Sequence, residues 1–223
     1  EHTGLTSSEA PGATLAIGGA QGRVMGPVTA SNGGTLMITN APGANLGDRV
    51  PDAAAVSLAG SGTLRFAHPG GEADYAESLG DLAVSGTNNL LATAQADDGR
   101  TSSLTFSSLT RAANATLDFS GPGLGDSDRN RVFFTNQSDG AIGIWATFDA
   151  TNFSAYSDAR GVYPADASAL ALPGDPWGDP ALLRYAPTGD RLGYRLWSVG
   201  NDERDDAGNA PEDLVVARRP SSP

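Results

Sequence analysis

SSLTFSSLTRAANATLDFSGPGLGDSDRNRVFFTNQSDGAIGIWATFDATNFSAY, residues 102–156, repeats one short pattern with no charge cluster and no helix cap. Leu104 with Phe106, Leu117 with Phe119, and Val132 with Phe134 are apolar couples two residues apart, each followed by small polar residues and glycine. A couple at i and i+2 puts both side chains on one face of a strand. The couples begin 13 and 15 residues apart, too close for a crossover helix and right for one strand and one turn. The segment reads as stacked short strands.

The same beat continues upstream. Leu15 with Ile17, Leu36 with Ile38, Leu64 with Phe66, and Leu90 with Ala92 recur at intervals of 21, 28 and 26 residues. A second set, Val56 with Leu58 and Leu82 with Val84, is interleaved at a spacing of 26. Two interleaved sets with one period imply two strands per turn of a coil. An isolated coil leaves its inward face wet, so stacking is what closes the core. The expectation is an all-β, elongated molecule.

Composition agrees. The 223 residues are 39% hydrophobic but only 7% aromatic, which suits a narrow core of small aliphatic side chains. The 29 glycines and 14 prolines supply turns at short spacing. All 14 basic residues are arginine, against 26 acids, for a net charge of -12. Such a surface repels nucleic-acid phosphates and anionic lipid headgroups; it serves solubility and tolerates divalent cations. The absence of cysteine excludes disulfides, thiolate chemistry and Cys-ligated metals without deciding the compartment. No apolar run approaches the roughly 18 residues a membrane helix needs, so membrane insertion is not expected. The chain starts at Glu1 rather than Met and reads as a processed or excised piece.

Residues 26–165 resemble the autotransporter-associated β-strand repeat proteins of bacterial surfaces and secretions. The words that carry the resemblance are GPVTASNGGTLMITNA (26–41), VSLAGSGTLRF (56–66), AESLGDLAVSGTNNL (76–90), LTFSSLTRAANATLDFSGPGLG (104–125), RVFFTN (131–136) and IGIWATFDATNFSAY (142–156). The resemblance implies a right-handed parallel β-helix, with the last three blocks closing its final coils. From Gly174 to Val216, GDPWGDPALLRYAPTGDRLGYRLWSVGNDERDDAGNAPEDLVV resembles the C-terminal part of major pseudopilins of type II secretion systems. A pseudopilin assembles through a long apolar N-terminal helix, which this chain lacks, so pilus assembly is not implied. The expected organisation is a β-helix over 1–165 and a pseudopilin-like tail over 166–223 forming a small β-rich cap.

That tail resemblance implies a calcium site. Carried over by position, Leu196 and Ser198 offer backbone carbonyls, and Asp202 and Asp213 carboxylates, with Asp205 or Asp206 as substitutes. Calcium takes about six to eight oxygens, and such a loop can supply them from mixed sources. Glu203 and Arg204 replace the glycine usual after the first aspartate. The competing reading is a solvated acidic loop in which Arg204 pairs with Asp205 or Asp206.

Other candidates have plain structural readings. Asp175, Pro176 and Trp177, with Gly178 and Pro180, form a turn in which Trp177 packs or stacks on a ligand. Trp145 and Trp197 lie in alternating apolar stretches and read as packing residues. Gly121, Gly123 and Gly125 lack the lysine and following helix of a phosphate loop and read as a turn. Asp97 and Asp98 are adjacent carboxylates of the kind β-helical pectin hydrolases use, but adjacent strand residues face opposite ways, and Gly99 makes a turn of them. Asp126 and Asp128 form a similar pair. Of the two histidines, His2 lies at the start and His68 reads as part of a polar turn; a Ser-His-Asp relay would have to run through His68. Asn114, Asn136 and Asn152 begin N-x-S/T triplets but read as turn asparagines.

The sequence therefore points to a parallel β-helix of about five to seven coils, rising roughly 4.8 Å each. No residue set forms a catalytic constellation, so the expected function is non-catalytic: a secreted or cell-surface bacterial solenoid for structure or adhesion, facing a glycan or protein partner, with self-association through coil edges. The alternatives are a polysaccharide lyase or hydrolase on the same scaffold, and a calcium-dependent docking module acting through the C-terminal loop.

Overall fold

The inward couples stack into three parallel sheets that wrap one core. In this computed structural model, residues 6–41, 46–69, 73–97 and 99–165 are described, with the backbone of three strands at 183–187, 194–198 and 214–218. Strands are numbered in chain order. The first face holds β1 (Thr6–Ser8), β3 (Val28–Ser31), β5 (Val56–Ala59), β8 (Leu82–Ser85) and β11 (Leu109–Arg111). The second holds β2 (Thr14–Ile17), β4 (Thr35–Thr39), β6 (Thr63–His68), β9 (Asn89–Gln95), β12 (Leu117–Ser120) and β15 (Ala146–Phe148). The third holds β7 (Tyr75–Leu79), β10 (Ser102–Phe106) and β13 (Arg131–Phe134). All pairs along these faces are parallel, and the described residues contain no helix.

The solenoid makes about four turns rather than five to seven. Each turn from β5 onward carries a third strand, so the coil has three faces where the two interleaved sets implied two. Leu104 pairs with Val132 on the third face while Leu117 sits between them on the second. The short 13- and 15-residue beat thus steps around a coil, and the successive rungs at Val28, Val56 and Leu82 lie 28 and 26 residues apart.

Apolar side chains line up along the interior. Leu15, Leu36, Leu64, Leu91, Phe119 and Phe148 follow one another in register, and the members from Leu36 to Phe119 are fully buried. Phe106 stacks on Phe134 at 5.4 Å between ring centres, and Phe119 meets Phe134 edge-on at 6.2 Å. These offset and T-shaped contacts are the arrangements aromatic quadrupoles favour. At the corner between the first and second faces the coils nearly touch: a Cβ on Gly62 would lie 2.0 Å from the carbonyl oxygen of Ala30, so only glycine fits.

One expected couple faces the other way. Leu90 and Ala92 were expected inside; instead Asn89, Leu91, Thr93 and Gln95 point inward, and Leu90 lies opposite Thr63. A one-residue shift exchanges the two faces of a strand. The buried Asn89 side chain fixes the parity. Its Oδ1 accepts the Gly62 N–H at 3.2 Å, and its Nδ2 donates to the carbonyls of Ser85, Gly86 and Thr116 at 2.9 to 3.1 Å. Inside, this amide completes four backbone groups of the corner; outside, it would complete none.

The C-terminal end of the coil stack is covered by residues 140–164. β16 (Asn152–Ser157) turns back antiparallel to β15 and pairs with β14 (Gly140–Ala141) and β17 (Gly161–Pro164). The Tyr156 hydroxyl donates to the Phe134 carbonyl at 2.9 Å and accepts the Phe134 N–H at 3.4 Å, standing where the next rung's backbone would be. The antiparallel cover thus lies upstream of the tail. In the tail, β18 (Leu183–Pro187), β19 (Tyr194–Ser198) and β20 (Leu214–Arg218) form their own antiparallel sheet with β19 in the middle.

Candidate functional site

The largest group of chemically capable side chains lies inside the solenoid, at the corner between the second and third faces. It follows from strand alternation. Leu36 and Ile38 are followed two residues on by Asn40, Leu64 and Phe66 by His68, and Leu91 and Thr93 by Gln95. All three polar residues are buried. They form the corner's inward row, and the third face adds Tyr75, Glu77 and Ser102.

Arg49 is the centre of this seam and is fully buried. Its Nε donates to Asn40 Oδ1 at 2.7 Å, its Nη1 to the Gly22 carbonyl at 2.6 Å, and its Nη2 to the Gly19 carbonyl at 2.9 Å. Two of the acceptors belong to the preceding coil, so the guanidinium ties neighbouring turns together where the described residues have no third-face strand. Burial holds its pKa down, and Glu77 opposes that. Glu77 in turn accepts the Val50 N–H on Oε1 at 2.8 Å, from the coil after. A buried ion is tolerated when its hydrogen bonds are made and a counter-charge is near.

His68 is not in a polar turn. It ends β6 with no exposed surface, its ring stacked on Tyr75 at 4.0 Å and edge-on to Phe66 at 4.2 Å. Neither ring nitrogen has a hydrogen-bond partner. Strand alternation carries the ring into the core, two residues beyond Phe66 on the same face. Burial, and then the nearby Arg49 charge, lower its pKa to about 4. Glu77 shifts the other way, to about 7: burial outweighs the backbone N–H groups of Val50 and Arg49, Asp48 adds to the rise, and the Arg49 charge opposes it.

A carboxyl group titrating near neutrality suits proton transfer only where it can reach a substrate. Glu77 is 3% exposed and its free oxygen, Oε2, meets no donor. No Ser-His-Asp relay runs through His68, because its nitrogens bond to nothing. Gln95 donates to the Ala73 and Thr101 carbonyls, and Asn130 accepts the Gln95 N–H at 3.1 Å while donating to the Pro122 carbonyl at 2.8 Å.

The residues singled out from sequence lie elsewhere. Asp97 closes its own turn, its Oδ1 accepting the Gly99 N–H at 2.8 Å; Asp98 lies outside the described residues. Asp126 pairs with Arg160 at 2.8 Å, and Asp128 pairs with Arg131. The segment with Gly121, Gly123 and Gly125 is a turn, as expected, bridged between Leu124 and Asn130. Trp145 packs against the core beneath the Arg111 guanidinium, 5.3 Å from its ring centre. Asn114 and Asn136 sit in turns and Asn152 opens β16. His2, Asp175, Pro176, Trp177, Gly178 and Pro180 are outside the described residues.

Of the expected calcium ligands, Leu196 and Ser198 lie on β19, opposite Tyr185 and Leu183 of β18, while Asp202, Asp205, Asp206 and Asp213 lie outside the described residues. Among the described residues no group of three or more His, Asp or Glu side chains is placed to hold a metal ion, and no helix is long and apolar enough to cross a membrane.

Arg49, Glu77, Asn89, Gln95 and Asn130 were not singled out from sequence. The signal for the corner was a polar residue two positions after an apolar couple, in successive coils. No protein-family model, curated protein or solved structure matches this chain.

Proposed function

We propose that the chain is a non-catalytic structural or adhesive solenoid, secreted or held at a bacterial cell surface, which presents its polar outer faces to a glycan or protein partner. The observation that supports this reading is the commitment of its reactive groups. Glu77, Asn89, Gln95 and Asn130 hold backbone between coils, while Asp97, Asp126 and Asp128 are engaged in turns and ion pairs. Outside, Ser7, Thr29, Ser57, Ala83 and Thr110 follow one another in register along the first face. Small side chains repeated at strand spacing make a flat surface suited to an extended, repetitive ligand. The resemblance of 26–165 to autotransporter-associated repeats points the same way, although a coil architecture is shared by solenoids of many functions. A glycan array probed with and without calcium tests the proposal. Saturable binding that leaves the glycan intact supports it; release of shortened oligosaccharide, lost in Asp97→Ala or Asp98→Ala, overturns it.

A second reading, calcium-dependent docking through the acidic loop, is favoured by one observation: the ladder between β19 and β20 slips between Leu196 and Trp197. A slip of this kind takes backbone groups out of regular pairing, beside a carbonyl assigned to the ion. A melting temperature that rises with calcium in the parent and not in Asp202→Ala/Asp213→Ala supports it. No rise in the parent rules it out.

A further inference from the structure

We propose that the C-terminal sheet of β18, β19 and β20 packs side-on over the outside of the second face at its last rungs, as a second layer above Phe153, Ala155 and Ala165. The outer row of that face shows where the layer begins. Thr14, Thr35, Thr63, Leu90, Asp118, Thr147 and Phe153 follow one another in register. The first four are exposed or half-buried, as outward residues of a solenoid should be, whereas the last three are buried. β16 is buried on both sides: Tyr156 belongs to the main core, while Phe153 and Ala155 form a second, separate cluster with Ala165. A phenyl ring and two alanines, flanked by Ala141 and Tyr163, make one half of a sheet-on-sheet core, which takes side chains from both layers.

Three observations name the chain's own tail as the other half. The chain leaves the cover at Ala165, whose N–H donates to the Phe153 carbonyl at 2.8 Å, so it runs out from within the cluster itself. The 17 residues from 166 to 182 reach up to roughly 56 Å when extended, ample to bring β18 back across three rungs. The charges also match. Asp118 is a buried carboxylate on this surface, its Oδ1 taking the Thr147 hydroxyl at 2.7 Å and the Ala150 N–H at 2.8 Å, and Asp149 lies exposed in the turn after β15. Each tail strand carries one arginine, Arg184, Arg195 or Arg218, and no acid. A small sheet depends on a packed apolar face for its stability, so the contact serves both layers.

The chain contains no cysteine, so a single introduced thiol carries a label cleanly. A nitroxide on Thr151→Cys, in the exposed turn that leads into β16, should broaden the amide NMR signals of β18–β20 in the whole chain, and one on Ser57→Cys, on the first face, should leave them sharp. Tail amides untouched by the Thr151→Cys label overturn the proposal. Broadening that arises between molecules, seen when labelled chains are mixed with isotopically enriched unlabelled ones, also overturns it, because a second copy would then be the cover. Phe153→Ala, compared with the parent by amide hydrogen exchange, should speed exchange in β18–β20 by about tenfold or more relative to Phe134. An unchanged ratio sinks the assignment of the tail to this surface.

Discussion

Truncating Leu91 and its neighbour Leu90 separately tests the register on which the interior depends. Leu91 is fully buried, between Leu64 of the coil before and Phe119 of the coil after; Leu90 is half-buried on the outer side, opposite Thr63 and Asp118. Leu91→Ala removes about three methyl or methylene groups, about 2.4 kcal/mol of transfer free energy. It also leaves a cavity that stacked strands on both sides hold open, bringing the cost to about 3 to 4 kcal/mol. Leu90→Ala trims a side chain that is only half-buried and should cost less than about 1 kcal/mol. Urea unfolding followed by far-ultraviolet circular dichroism of the strands reads both. Equal costs, or a larger cost at Leu90, would refute the assignment of the inward face and with it the role given to Asn89.

Arg49→Met should destabilise by about 3 to 5 kcal/mol, because it removes three charge-assisted hydrogen bonds, to Asn40 and to the Gly19 and Gly22 carbonyls, and takes the opposing charge away from buried Glu77; a loss under about 1 kcal/mol in the same assay would show that the guanidinium does not hold the coils. Gly161→Ala should cost more than about 2 kcal/mol, since its φ is 74° and a Cβ would meet the Val132 carbonyl oxygen at 2.4 Å, whereas Gly12→Ala, at φ 73° with open space around it, should cost about 1. Differential scanning calorimetry of the two glycine variants decides whether close approach or backbone strain dominates. Tyr156→Phe removes the hydroxyl that serves both backbone groups of Phe134 and should cost about 1 to 2 kcal/mol, with faster amide exchange at Phe134 as the local sign.

Apolar alternation was enough to read the stacking of coils, because each inward couple is a local pattern of period two. Leu36, Leu64, Phe106, Leu117 and Phe134 all face the core as their spacing implied. The error at Leu90 has a simple origin: in NNLLATAQ both parities carry a leucine, and the deciding residue is the asparagine whose bonds reach Gly62 and Thr116, 27 residues away on either side. The third face was missed for a related reason. Tyr75, Glu77 and Leu79 alternate properly, but a glutamate in the middle reads as solvated unless the backbone it serves, at Val50, is known. The same blindness hid His68 in the core, and the seam as a whole, since its polar side chains answer to partners on other turns rather than to neighbours in sequence.

The hydrogen bonds that latch one turn to another also have an order in time. Arg49 reaches back to Gly19 and Gly22, Glu77 to Val50, Asn130 to Gln95, Tyr156 to Phe134 and Arg160 to Gly125. In each case the later segment fastens the earlier one. A chain emerging with its N-terminus leading therefore closes these five clasps from the newer turn onto its predecessor, whereas Asn89 and Asp118 wait, side chains ready, for Thr116 and Ala150 to arrive.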